Sequence, residues 1–114
     1  MILKIIITEA DGNCDISGYI KYISSERQER AARIRSDRDR VLSVTAELAV
    51  RKEIITELGM ENQDISFDYG EHGKPFLHGR GDFHFLFFHS GKYIAVVCSR
   101  ENAGIDIERK DSGY

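Results

Sequence analysis

Apolar and polar positions follow one another in two rhythms along this chain, a strand-like period of two and a helical period of three to four. The run Ile2-Leu3-Lys4-Ile5-Ile6-Ile7 is aliphatic except for Lys4 and predicts a buried first strand. It is too short to span a bilayer and lacks the small-residue cleavage site of a signal peptide. Asp11-Gly12-Asn13 is a turn cluster, after which Ile16 to Ile23 leads through Tyr19 and Tyr22 toward a helix. Ser25 with Gln28 three residues on is a capping-box pattern, and Glu26 sits where the helix dipole favours an acid. A first helix is therefore expected from Glu26 to about Arg35, capped by Ser25. Ser36-Asp37-Arg38-Asp39 breaks it, and a second helix is expected from about Arg40 to Leu58, stopped by Gly59. Its apolar stripe reads Val41, Val44, Leu48, Ile55 and Leu58. Arg51 falls where that stripe calls for a hydrophobe, so it is expected to be half-buried and paired with a carboxylate, because an unpaired buried charge is costly.

The second half of the chain reads as strands. Ile65-Ser66-Phe67-Asp68-Tyr69 alternates as a half-buried strand, and Gly70-Glu71-His72-Gly73-Lys74-Pro75 ends it in a shaped turn that holds Lys74 extended before the proline. Asp82 to Phe88 carries Phe83, Phe85, Phe87 and Phe88 and predicts a core strand; His89-Ser90-Gly91 then turns the chain into a strand from Tyr93 to Ser99, a hairpin with His89 at its mouth. Gly104-Ile105-Asp106-Ile107-Glu108 alternates once more. The fold class expected is α/β, more narrowly α+β: one domain over residues 1–114, with a small, mostly antiparallel sheet and two helices.

Composition narrows the function classes. The chain has 114 residues, 41% hydrophobic and 31% charged, with a formal net charge of −3, so there is no global basic footprint for nucleic acid. Charge is nonetheless clustered: Arg27, Arg30, Arg33, Arg35, Arg38 and Arg40 lie close together in sequence. Arg27, Arg30 and Arg33 share one helix face, which is either an anion site or a solvated surface laced by Glu26–Arg30 and Glu29–Arg33 pairs. Cys14 and Cys98 stand in different contexts, the second in an apolar run where a free cysteine packs as a small hydrophobe, and a reducing, cytoplasmic location is expected. The four histidines show no zinc spacing.

Two features could carry chemistry. In Gly104–Glu108 a strand's alternation sends Asp106 and Glu108 to one face, with Cα atoms roughly 6.5–7 Å apart, within reach of one hard cation. The alternative is an edge strand with a solvated acidic face. Lys74, positioned in its glycine-bearing turn, can meet a phosphate or simply face water.

Taken in order, these stretches resemble the amino-terminal half of the surfactin-type 4′-phosphopantetheinyl transferases. The resemblance runs through Tyr22-Ile23-Ser24-Ser25-Glu26-Arg27, Asp39-Arg40, Leu48-Ala49-Val50-Arg51, Gly70-Glu71-His72-Gly73-Lys74-Pro75, His89-Ser90-Gly91 and Gly104-Ile105-Asp106-Ile107-Glu108. It implies transfer of phosphopantetheine from coenzyme A to a serine of an acyl or peptidyl carrier protein, with Mg²⁺. Arg27, Arg30 and Arg40 would face the 3′-phosphate and adenine end of coenzyme A, Lys74 and His89 its phosphates, and Asp106 and Glu108 would hold the metal. Where the family reads Phe-Asn-(Ile/Leu)-Ser-His-Ser, this chain reads Phe85-Leu86-Phe87-Phe88-His89-Ser90. The family's second half supplies a Trp-x-x-Lys-Glu helix bearing a lysine and a third acidic ligand; no catalytic residue is assigned within these 114 residues. Three expectations compete: an enzyme completed by a second half, a noncatalytic coenzyme A or phosphate-binding module, and an interaction domain. Self-association or a missing second half is expected as partner, and neither nucleic acid nor membrane.

Overall fold

The fifth strand, Tyr93–Ser99 (β5), is the axis of the main sheet. In the computed structural model, which describes residues 3–10 and 14–100, it lies between Leu3–Glu9 (β1) and His84–Ser90 (β4), antiparallel to both. A second, two-stranded sheet pairs Phe67–Tyr69 (β2) with Pro75–Leu77 (β3). Two helices, Ser25–Arg33 (α1) and Asp37–Leu58 (α2), complete the α+β fold that the sequence pattern predicts. The expected β4–β5 hairpin is present: Ser90 pairs with Tyr93 across a two-residue loop whose first position, Gly91 at φ +59°, has the left-handed backbone that such a loop requires. The Asp11-Gly12-Asn13 turn and the Gly104–Glu108 strand lie outside the described residues.

Both helices begin earlier than the sequence pattern suggested. Ser24, not Ser25, caps α1, its Oγ accepting the Arg27 backbone N–H at 3.1 Å. A tertiary contact selects it, because the Ser24 N–H and Oγ–H both donate to Glu47 of α2, at 2.6 and 2.9 Å. Gln28, freed from any capping box, donates instead to the carbonyls of Ile20 and Ile23 and closes the 3₁₀ turn that precedes the helix. The Ser36-Asp37-Arg38-Asp39 stretch, read as a break, is the start of α2: Ser36 Oγ accepts the Asp39 N–H, and Asp37 and Asp39 occupy the electropositive first turn. Gly59, at φ +67°, ends the helix as expected.

α2 is buried on two sides, and this corrects the single stripe assigned to it. Leu42, Ala46, Val50 and Ile54, four residues apart, face the sheet and pack with Phe83, Phe85, Ile94, Val96 and Cys98. Val44, with Leu48 beside it, instead meets Ile23 and Ala31 of the α1 region. A helix wedged between a sheet and another helix has no one apolar face, so the part of the stripe through Val44 and Leu48 recorded only the side toward α1. Extended to Ile55 it fails, for Ile55 is 40% exposed whereas Ile54 is fully buried. Burial also keeps the Cys98 thiol protonated, its pKa pushed up to about 12, so this cysteine is a packing residue.

The expectation of a buried first strand is overturned. β1 is an edge of the described sheet; Lys4, Ile6 and Thr8 share its inner face, and Ile6 packs against the core. Leu3, Ile5 and Ile7 project from the face that none of the described helices covers, Ile7 at 69% exposure. Register places Ile5 beside Val97 and Leu86, and Ile7 beside Ala95 and Phe88, so the outer sheet surface is apolar across all three strands. Phe88, assigned to a core strand, therefore lies half exposed on this outer face, while Phe83 and Phe85 fill the core. With Ile7, Ser90, Tyr93 and Ala95 it lines a shallow hollow of about 370 Å³.

Urea unfolding separates the two assignments of α2. Ile54→Ala is expected to cost about 2–5 kcal/mol and Ile55→Ala less than about 1 kcal/mol; equal costs would contradict the packing described.

Candidate functional site

Arg27 enters α1 in its first turn and is directed inward. Its Nε donates to Glu47 Oε1 at 3.5 Å, its Nη1 to Ser43 Oγ at 3.2 Å, and its guanidinium lies 5.2 Å from the centre of the Phe87 ring. Glu47, only 2% exposed, accepts at its other oxygen the Arg51 Nε–H at 2.9 Å. Arg51 in turn lies over Phe67, at 5.4 Å, and donates to the backbone and side-chain oxygens of Asn62. The expected carboxylate partner of Arg51 is thus Glu47, and the arginine is buried rather than half-buried. Sequence reasoning missed Glu47 although a signal existed: it stands one helical turn before Arg51, the favoured acid-to-base spacing. Below, Phe67 meets Phe85 edge-on and Phe85 stacks on Phe87, so one aromatic row carries both guanidinium groups.

The turn before β3 supplies the second cation. Gly73 N–H bonds to the Gly70 carbonyl, Lys74 N–H to that of Glu71, and Gly70 N–H back to the Lys74 carbonyl at 2.8 Å. Lys74 is extended, with φ −68° and ψ 123°, as the residue before a proline should be. His72 has φ 60°, a left-handed conformation that a side chain tolerates at a cost.

These two elements meet. Arg27 and Arg30 of α1 and Lys74 line one cleft of about 120 Å³, floored by Pro75, Phe85, Leu86 and Phe87. Arg30 is exposed, Lys74 half-buried and Arg27 buried. Three side chains from distant parts of the sequence therefore converge, with aromatic and aliphatic surface beneath them, on a shape suited to an anionic group carrying an apolar or ring portion. Two other candidates stand apart from this cleft. Arg40 uses its guanidinium on the carbonyls of Ala31 and Ile34 and on Asp37, tying the end of α1 to the start of α2. His89 is exposed near the hairpin end of β4. The Arg38 guanidinium reaches this hairpin, 3.7 Å from where a Cβ on Gly91 would stand. Asp106 and Glu108 lie outside the described residues, and the described residues contain no group of three or more His, Cys, Asp or Glu side chains able to hold a metal.

The sequence of this chain has relatives among known proteins. The family described as "4′-phosphopantetheinyl transferase, N-terminal" matches residues 12–102, and the chain belongs to it. Among curated relatives, 4′-phosphopantetheinyl transferase gsp of Aneurinibacillus migulanus is 37% identical over 87 residues, covering 76% of this chain and 36% of the relative. 4′-Phosphopantetheinyl transferase Sfp of Bacillus subtilis strain 168 is 30% identical over 91 residues, covering 80% of this chain and 41% of the relative. The chain thus spans about two-fifths of the length of these relatives, and the match falls in their amino-terminal part.

The left-handed residue in the Lys74 turn gives a direct check. A glycine substitution inside regular structure ordinarily costs about 0.5–1 kcal/mol. At His72 the φ of 60° reverses this, and His72→Gly is expected to leave stability unchanged or to raise it by up to about 1 kcal/mol in thermal unfolding. A loss of more than about 1 kcal/mol would show that the imidazole itself holds the turn.

Proposed function

We propose that this chain is the coenzyme A-binding half of a 4′-phosphopantetheinyl transferase, an enzyme that moves phosphopantetheine from coenzyme A to a serine of an acyl or peptidyl carrier protein. The observation that carries the reading is the convergence of Arg27, Arg30 and Lys74 on one cleft. Coenzyme A carries a pyrophosphate, a 3′-phosphate and an adenine, and a basic rim over an aromatic floor suits such a molecule. Arg27 is held rigidly and supplies a fixed charge, while Arg30 and Lys74 stand at the rim. His89 lies beyond the cleft, at the hairpin, where it could meet a further phosphate of an extended ligand. Arg40 we assign to support, since its donors hold the corner between the two helices.

Membership of the family supports extending the reading to Asp106 and Glu108 as Mg²⁺ ligands, on the alternation of Gly104–Glu108. Bound there, Mg²⁺ would neutralise charge developing on the pyrophosphate as a serine hydroxyl attacks in line, with 3′,5′-ADP leaving. The domain as a whole would correspond to the amino-terminal half of the longer relatives. Among the described residues no helix is long and apolar enough to cross a membrane.

Calorimetry with coenzyme A tests the cleft. Binding is expected, weakening as salt rises, and Arg30→Ala or Lys74→Ala should each weaken it by about tenfold. A folded chain that binds no coenzyme A at millimolar concentration would sink the proposal.

The exposed apolar side chains on the outer sheet face support a second proposal, that the 114-residue chain self-associates through Ile5, Ile7 and Phe88. Light scattering over a concentration series should show dimers or larger species, and Ile7→Lys with Phe88→Glu should return the chain to monomer. Because both side chains project outward, the pair of changes should lower stability little; a wild-type chain that stays monomeric at high concentration rules this out.

A further inference from the structure

Resting on the reading of the cleft as a phosphate site, we propose that Glu47, with Ser43, is a positioning residue for that site: it acts through Arg27 and touches no ligand itself. Arg27 has a long, flexible side chain, and a free arginine loses much rotamer entropy when it is fixed on an anion. Here that cost is met in advance. Glu47 Oε1 receives Arg27 Nε, Ser43 Oγ receives Nη1, and the face of Phe87 confines the guanidinium from the side. Glu47 is fixed in turn: Ser24 donates to both its oxygens, and Arg51, itself anchored to Asn62, donates to Oε2. Of this set only Arg27 and Phe87 line the cleft; Glu47, Ser43, Ser24, Arg51 and Asn62 do not.

The arrangement makes a prediction about sign that simple charge counting does not share. A carboxylate behind Arg27 repels any anion in front of it, so charge alone says that neutralising Glu47 tightens anion binding. If Glu47 positions Arg27, neutralising it must weaken binding. A glutamine amide would bring a donor against Ser24 or Arg51, and the guanidinium groups of Arg27 and Arg51 would lose the negative charge they now share. Arg27 would then compete with Ser24 and Arg51 for the single amide oxygen, and only its contacts with Ser43 and Phe87 would be unchanged.

The test is calorimetry with coenzyme A on the 114-residue chain, comparing wild type, Glu47→Gln and Ser43→Ala, with the folded fraction of each measured by circular dichroism at the same temperature. A purely structural role would change thermal stability but not the affinity per folded molecule. Expected are about tenfold weaker binding per folded molecule for Glu47→Gln and a smaller loss, about two- to fivefold, for Ser43→Ala. Unchanged or tighter binding by folded Glu47→Gln overturns the positioning role while leaving the cleft reading standing. Should Glu47→Gln fail to fold, Ser43→Ala decides, and unchanged affinity there overturns the proposal. A wild-type chain that binds no coenzyme A overturns the cleft reading and this inference together.

Discussion

One buried carboxylate joins most of the described structure. An isolated ionised glutamate in a protein interior is strongly disfavoured, and Glu47 is tolerated because the backbone and hydroxyl donors of Ser24 and two arginines surround it. Each of those donors belongs to something else. Ser24 starts α1, Arg27 leads to the cleft, and Arg51 anchors Asn62, whose side-chain amide in turn holds the Tyr22 carbonyl. Removing either arginine would leave a buried charge short of a partner, so these contacts stand or fall as a set.

The same set explains why the main sheet has two unlike faces. On the inner side, the row of Phe67, Phe85 and Phe87 offers ring faces to both guanidinium groups, and α2 closes over the remainder with Leu42, Ala46, Val50 and Ile54. Among the described residues no helix closes over the outer side. Leu86 and Val97 form a small buried cluster there, while Ile5, Ile7 and Phe88 are exposed. Phe88 and His89 are neighbours in β4 and, by the pleat, point to opposite faces. The two departures from the family's Phe-Asn-(Ile/Leu)-Ser-His-Ser pattern, Leu86 and Phe88, both fall on the outer face, and they make it more apolar than asparagine and serine would.

Legibility in the sequence followed the range of the forces involved. The Lys74-Pro75 turn, the β4–β5 hairpin and the Gly59 stop were readable because backbone sterics within a few residues decide them. The demand that Arg51 be paired was readable too, as it stood on an apolar stripe. The choice of Ser24 over Ser25 was not, since adjacent serines are locally equivalent and only Glu47, distant in sequence, distinguishes them. Nor could the pattern show that α2 has two buried sides, or that β1, aliphatic on both faces, is covered on one. As for the cleft, the arginine helix and Lys74 could each be named from the sequence, but their meeting depends on where the turn between β2 and β3 places Lys74 in the fold. Arg27, grouped by spacing with Arg30 and Arg33 on one exposed face, proved to be drawn inside by a partner that spacing does not reveal.

The pairing of β1 with β5 has a consequence for how the chain reaches this form. Leu3 lies opposite Ser99, so the first strand closes a loop containing nearly all the described residues, whereas β4 and β5 close a loop of two. Loop closure costs more entropy as the loop lengthens, and contacts of long sequence separation slow folding. On a ribosome β1 emerges first and its partner last among the described elements. Throughout that interval Leu3, Ile5, Ile6 and Ile7 are an aliphatic segment whose β5 partner has yet to be made, and in the described sheet the same segment is an edge strand. Lys4, the one charge in the run, then has two tasks: in the fold it holds Glu53 at 2.8 Å, and during synthesis it is the only charge that keeps a short aliphatic segment from pairing with its like.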